Sequence, residues 1–139
     1  MKKILQILLL TFSVFIAACT STDDFDGITG NGTTVTIKLI DSKGLPIRAI
    51  PVYAFSIETW VKNGGEAADM TFADFTVKTN NNGIAEFGGF DTEVFFNTGN
   101  NFTNIFTFVV EYEVDGITLR KIERATLVQN SYNELVFTL

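Results

Sequence analysis

From Thr33 onward the chain alternates: Val35, Ile37 and Leu39 share one face of a strand, while Thr36 and Lys38 take the other. Asp41-Ser42-Lys43-Gly44 then supplies turn chemistry, and the run Ile50 to Ile57 follows as a second strand, apolar on both faces. A hairpin is predicted over residues 75 to 87, with Asn80-Asn81-Asn82-Gly83 as its turn because Asn and Gly tolerate positive φ. Gly88-Gly89 ends it, and Asp91 to Asn97 reads as a further short strand. After a polar loop around Gly99-Asn100-Asn101 comes the longest strand, about Asn104 to Val114. The alternation of Phe106, Phe108, Val110, Tyr112 and Val114 marks it as central.

Asp115-Gly116 is a strong two-residue hairpin signal. On the return strand Ile122 falls on the wrong parity, so a bulge is expected near Arg120-Lys121. The last strand, Glu134 to Leu139, keeps Leu135, Phe137 and Leu139 on one face up to the carboxyl end. Residues 58 to 74, with Trp60 and Gly64-Gly65, break the pattern and read as a long connection with room for one helical turn. Seven or eight strands separated by turn signals predict an all-β fold, an antiparallel β-sandwich, over residues 33–139.

The first 32 residues have a different character. Lys2-Lys3 precedes an apolar stretch over residues 4 to 18 that has signal-peptide length and is shorter than the roughly 20 apolar residues a spanning helix needs. Ile16-Ala17-Ala18-Cys19 resembles the bacterial lipobox, an aliphatic residue and two small ones before the Cys that is acylated and exposed by cleavage. That resemblance implies a leader over residues 1–18 and lipidation at Cys19. Ser21-Thr22-Asp23-Asp24-Phe25-Asp26 resembles the acidic export signal that Bacteroidetes-type bacteria place after the lipid Cys, with Asp23, Asp24, Phe25 and Asp26 as its core; acidic solvated spacer is the plainer reading. The export resemblance implies an outer-membrane lipoprotein, anchored through Cys19 and exposed at the cell surface. Residues 19–32, with Gly27, Gly30 and Gly32, form the acidic tether.

Composition removes several chemistries. There is no His, and the one Cys stands in the lipidation position, so serine triads, Cys-His nucleophiles, His-ligated zinc and disulfides have no residues to work with. The formal charge is −6, and loss of Lys2 and Lys3 with the leader leaves 16 acidic against 8 basic side chains. Phosphate backbones are repelled by that balance, which argues against nucleic acid as a partner. Asp41, Asp69, Asp74, Asp91 and Glu93 are oxygen donors without the spacing of a calcium loop, so ordinary turn roles are expected of them and no metal or cofactor is predicted. No carboxylate pair has a spacing that marks acid-base catalysis, and an enzyme is not expected.

The stretch Val35 to Ala54, with Asp41, Gly44 and Pro46, followed by Thr79-Asn80-Asn81-Asn82-Gly83-Ile84-Ala85-Glu86-Phe87, is similar to the carboxypeptidase-regulatory-like and Cna-B-type family. The resemblance implies a transthyretin-like sandwich and a non-catalytic module on a cell surface, and Asn80 stands where the family carries Asp. Some members hold a Lys-Asn isopeptide bond, but the core-facing position here is Leu39, with Lys38 one step away on the outward face, so no such bond is expected.

The candidate contact residues are aromatic. Tyr53 and Phe55 lie on the second face of their strand, and Trp60 and Phe72 stand in the long connection, with Phe95, Phe96 and Phe102 in or beside other loops. Exposed rings of this kind stack on sugars or anchor a protein partner. The competing reading is that the connection folds over one sheet and buries them; Trp60 is the ring most expected to be exposed. Three functions follow: a binding or structural module acting through protein contacts, a glycan-binding module for nutrient capture, or a scaffold lipoprotein of an envelope secretion complex.

Overall fold

The computed structural model describes residues 32–90, 96 and 102–139. The leader, Cys19, the Asp23–Asp26 segment and, apart from Phe96, the strand expected at residues 91–97 lie outside them. Seven strands are present among the described residues: β1 (Thr34–Ile40), β2 (Pro51–Ser56), β3 (Phe75–Lys78), β4 (Ile84–Phe87), β5 (Thr103–Val114), β6 (Ile117–Val128) and β7 (Tyr132–Thr138). They form two sheets, β4-β1-β7 and β3-β2-β5-β6, the expected all-β sandwich.

The alternation read from the sequence is what joins the layers. Val35, Ile37 and Leu39 of β1, Ala85 and Phe87 of β4, and Phe137 of β7 face Val52 and Ala54 of β2 and Phe106, Phe108 and Val110 of β5. Phe90 fills the space between the sheets, its ring 4.8 Å edge-on from Phe106 and 4.8 Å from Phe75. Edge-to-face contacts of this kind match the positive rim of one ring to the negative face of the other, adding to the area they bury.

Two polar turns close one end of the sandwich by the same device. The Asp41 carboxylate accepts from the backbone N–H groups of Lys43 and Leu45, both at 2.8 Å. The Asn80 side-chain carbonyl accepts from Asn82 at 2.9 Å and Ile84 at 3.1 Å, so the amide does what a carboxylate would do at that position. Gly83 ends the second turn with φ +71 and lies flush against β1, where Leu39 donates its N–H to the Gly83 carbonyl at 2.7 Å.

Two details differ from expectation. β7 runs parallel to β1, in register from Thr34↔Tyr132 to Ile40↔Thr138, so the three-stranded sheet is mixed. The long β6 returns the chain to the level of the β1 start, and residues 129–131 pass it across to the other sheet. That crossing is pinned by the Thr33 hydroxyl, which accepts from the Asn130 N–H at 2.9 Å and donates to the Val128 carbonyl at 3.3 Å.

The expected bulge near Arg120-Lys121 is also absent. β5 and β6 pair without interruption from Thr103↔Val128 to Val114↔Ile117. Ile122 points away from the main core because a second apolar cluster waits on the other side of the sheet.

Candidate functional site

That second cluster is built by the segment after β2. Ser56 caps a short helix, α1 (Ile57–Lys62), its hydroxyl accepting from the Thr59 N–H at 3.3 Å. Asp74 holds the same corner from the far end of the segment: one carboxylate oxygen accepts from the Ser56 N–H at 2.6 Å and the other from the Thr59 hydroxyl at 2.9 Å. Two 3-10 turns, Gly65–Ala67 and Met70–Phe72, then bring the chain back to β3.

The result is a lid packed on the outer face of the four-stranded sheet. Phe55, Trp60, Ala68, Met70 and Val109 form its buried centre, with Tyr53, Ala73 and Ile122 partly buried around it. The Trp60 ring meets Phe55 edge-on at 5.3 Å. Both faces of β2 are apolar because one faces the sandwich core and the other faces this lid.

The four aromatics singled out from the sequence therefore separate. Trp60, the ring most expected to be exposed, is 2% exposed, and Phe55 is wholly buried. They are lid packing, and neither can stack on a ligand without unfolding the segment. Tyr53 is half-buried at the lid's edge, and Phe72 is 58% exposed on its outer side. No shared aromatic platform results. Phe102 is exposed and Phe96 buried, while Phe95 lies outside the described residues.

Arg120 is the residue that sequence reasoning missed. From β6 its guanidinium donates to the carbonyls of Glu66 at 2.8 Å and Ala68 at 3.0 Å, and it pairs with Glu111 on β5 at 2.8 Å. Several donors in a rigid planar fork let one side chain clamp the 3-10 turn and a neighbouring strand together. The only signal in the sequence was its outward parity on β6, which says nothing about a partner 52 residues away.

The candidate oxygen donors have local tasks. Asp41 and Asp74 hold backbone and hydroxyl donors as described above. Asp69 caps the second 3-10 turn, and the Thr71 N–H and hydroxyl, with a smaller contribution from Arg120, hold its carboxyl below the usual carboxylate range. Asp91 and Glu93 lie outside the described residues.

The described residues also line shallow surface depressions. One, of about 420 Å³, lies on the outer face of the three-stranded sheet, where Glu86 and Glu134 flank Thr36 from either side beside Thr34, Ile84 and Tyr132. Another, of about 290 Å³, lies between Pro51, Tyr53, Glu111, Tyr112, Glu113 and Thr118. Both are open to solvent, and neither gathers the aromatic set.

No protein-family model and no curated protein matches this chain. Among solved structures the fold is similar to part of the Bacillus anthracis TIE protein, at 14% identity and a TM-score of 0.47 over 77% of this chain. This chain spans 16% of that protein's length. It is similar also to the SpaB basal pilin from Lactobacillus rhamnosus GG, at 16% identity and a TM-score of 0.43, over 76% of this chain and 94% of the pilin.

The most distinctive surface is the β5–β6 hairpin. β2 pairs with β5 only as far as Val52↔Val110 and begins one residue earlier, at Pro51, so the rows from Tyr112↔Leu119 to Val114↔Ile117 run past it with no third strand paired to them among the described residues. On the hairpin side that continues the core face, Tyr112, Val114, Ile117 and Leu119 share one surface by strand parity. Val114, Ile117 and Leu119 are exposed. The other side carries Glu111, Glu113, Thr118 and Arg120.

The hairpin also has a fixed relation to the chain entry. Thr33 is bonded to Val128 and Asn130, beside the first row of the hairpin, Thr103↔Val128. The tip at Asp115-Gly116 lies at the other end of strands 12 residues long, about 36 Å away.

Proposed function

We propose that this chain is a lipid-anchored, surface-exposed lipoprotein whose transthyretin-like sandwich is a non-catalytic module working through protein contacts. The observation that carries this reading is the opposition of chain entry and hairpin. A tether arriving from Cys19 joins the domain at Thr33, and the unsupported rows of the hairpin, with Val114, Ile117 and Leu119 exposed, stand at the far end. A domain held this way presents its apolar hairpin surface away from the bilayer, toward other proteins. Strand pairs with a free apolar side are a common docking surface, because the flanking backbone and side chains are already ordered before the partner arrives.

The glycan-binding alternative loses support, since two of its four rings are buried in the lid. A scaffold role in an envelope secretion complex uses the same hairpin and differs in the face of the membrane on which it stands.

Two experiments bear on this reading. With a photo-reactive side chain replacing Ile117 in the anchored chain, whole-cell irradiation is expected to give a discrete protein adduct that is lost when the same group replaces Glu58 on α1; adducts of equal intensity from both positions would contradict a hairpin-specific contact. Replacing Asp23, Asp24 and Asp26 together by Ala is expected to abolish digestion of the domain by protease added to intact cells. Unchanged digestion would sink the export reading, leaving the acidic residues as spacer.

A further inference from the structure

The two sheets are unequal, and the shortfall lies on one side. β3 and β4 lie against each other, so the sandwich is closed along that side. Counting across from them, β7 is the last strand of its sheet, whereas β6 extends the other sheet by one strand more. The inner side of β6 is accordingly uncovered: Lys121 and Glu123 share the core face with their partners Val110 and Phe108, yet both are only half-buried and bridge each other at 3.2 Å. Leu135, on the core face of β7 beside Ile37, is half-buried too.

β7 also has a free edge. The Ser131 carbonyl accepts from the Thr34 N–H and the Leu139 N–H donates to the Ile40 carbonyl, both at 3.0 Å, so the odd-numbered residues of β7 bond toward β1. Backbone groups alternate sides along a strand, so the N–H and C=O of Tyr132, Glu134, Val136 and Thr138 point to the other edge, where no strand is paired among the described residues. The other edges among those residues are guarded. β3 and β4 are four residues each and back onto one another, and β6 carries Arg120, Lys121, Glu123 and Arg124 along its middle. β7 has neither protection: it runs for seven residues with no Pro and one charge, Glu134, in regular register with β1 throughout.

We infer that β7 is a strand-acceptor site: an extended segment of a partner protein adds to its free edge, becomes the fourth strand of that sheet and roofs the inner side of β6. The backbone row sets the chemistry, because another extended backbone supplies donors and acceptors at the same spacing. Side chains set the pattern. Beside Leu135 and Phe137 the incoming strand carries apolar residues, since those positions point between the sheets toward Ala125 and the Lys121–Glu123 pair, which is already neutral. Beside Glu134 it carries Lys or Arg, because Glu134 is the one charge of β7 and has no ion pair among the described residues. A second copy cannot fill the place by symmetry. A two-fold axis bringing β7 against β7 would drive each overhanging β6 into the other copy's four-stranded sheet. Antiparallel pairing is the more stable per residue, and a segment of seven residues matches β7 from Tyr132 to Thr138. The site is separate from the hairpin contact at Ile117 and needs no lipid anchor, so either can fail alone.

The probe is an acetylated and amidated heptapeptide, Thr-Val-Thr-Val-Lys-Val-Thr, whose Lys falls beside Glu134 when it runs antiparallel along the whole of β7. Hydrogen exchange is followed at single amides by NMR, on the full chain in detergent micelles. Without peptide, the amides of Tyr132, Glu134, Val136 and Thr138 are expected to exchange fast and those of Leu135 and Phe137 slowly. Peptide at about 1 mM is expected to slow the four outward amides at least about threefold, since protection grows as one plus the ratio of free peptide to Kd. The same peptide with Glu in place of Lys should protect less. Glu134→Lys changes an exposed side chain and leaves the core untouched, and it should reverse that preference. Outward amides that are already slow without peptide would mean that the chain itself covers the edge, which overturns the inference. Protection that appears at β3, β4 or β6 instead, or nowhere, overturns it as well, and so does a charge preference that Glu134→Lys leaves unchanged.

Discussion

Replacing Trp60 with Ala is expected to destabilise the domain by about 3–5 kcal/mol, a large share of the roughly 5–15 kcal/mol that holds a domain of this size together. The indole is the largest side chain of the second cluster, and it touches Phe55 edge-on while covering the outer face of β2 and β5. Removing it leaves Phe55 and Val109 facing a hole. The lid cannot collapse into that hole, because α1 is fixed at one end by Ser56 and Asp74 and the Gly65–Ala67 turn is clamped by Arg120. Urea denaturation followed by circular dichroism will measure the loss, and the intact protein should show blue-shifted, poorly quenched tryptophan emission. A Trp60→Ala protein within about 1 kcal/mol of the parent would mean that the ring is solvated and the lid only loosely placed.

Gly83→Ala is the second large effect. Gly44 and Gly83 both sit at positive φ, +81 and +71, so an added Cβ costs about 1–2 kcal/mol at either from backbone strain alone. They differ in surroundings. A Cβ at Gly44 meets nothing within 4 Å, whereas at Gly83 it would lie 2.5 Å from the Leu39 carbonyl oxygen and 3.1 Å from the Ile47 nitrogen. These are backbone atoms joined to one another, Ile47 donating to Leu39 at 2.9 Å, and they cannot swing aside as a side chain would. Gly44→Ala should therefore show the strain alone, and Gly83→Ala should lose at least about twice as much or fail to fold. Equal losses in a denaturation series would show that the turn moves away from β1 at no further cost.

The framework was legible in the sequence wherever one face of a strand meets the core and the other meets water. β1 and β7 read this way, and the Asp41 and Asn80 turns were marked by side chains that bond their own backbone. Misreadings cluster where the outer face is covered as well. Ile122 reads as a parity error because nothing in the sequence announces the lid, and the bulge it implies falls where the register is continuous. Trp60 looked exposed for the same reason: a lone aromatic in a Gly-rich connection carries no periodicity to show which surface it will meet. The parallel pairing of β7 with β1 was not legible either, since alternation fixes the face of a strand but not its direction. Of the candidate contact residues, Tyr53 and Phe72 remain at the surface, Phe55 and Trp60 belong to packing, and the hairpin overhang emerges only once the length of β5 is compared with that of β2.

On the proposed function, the domain stands outside the cell with its hairpin exposed. Thr118→Cys places a thiol on the solvent side of the hairpin, in a chain whose Cys19 sulfur is acylated under the lipoprotein reading. A membrane-impermeant maleimide added to intact cells is predicted to label that thiol as fully as it does after lysis. Labelling that appears only once the outer membrane is broken would contradict the claim, and would turn the same hairpin toward a partner in the periplasm.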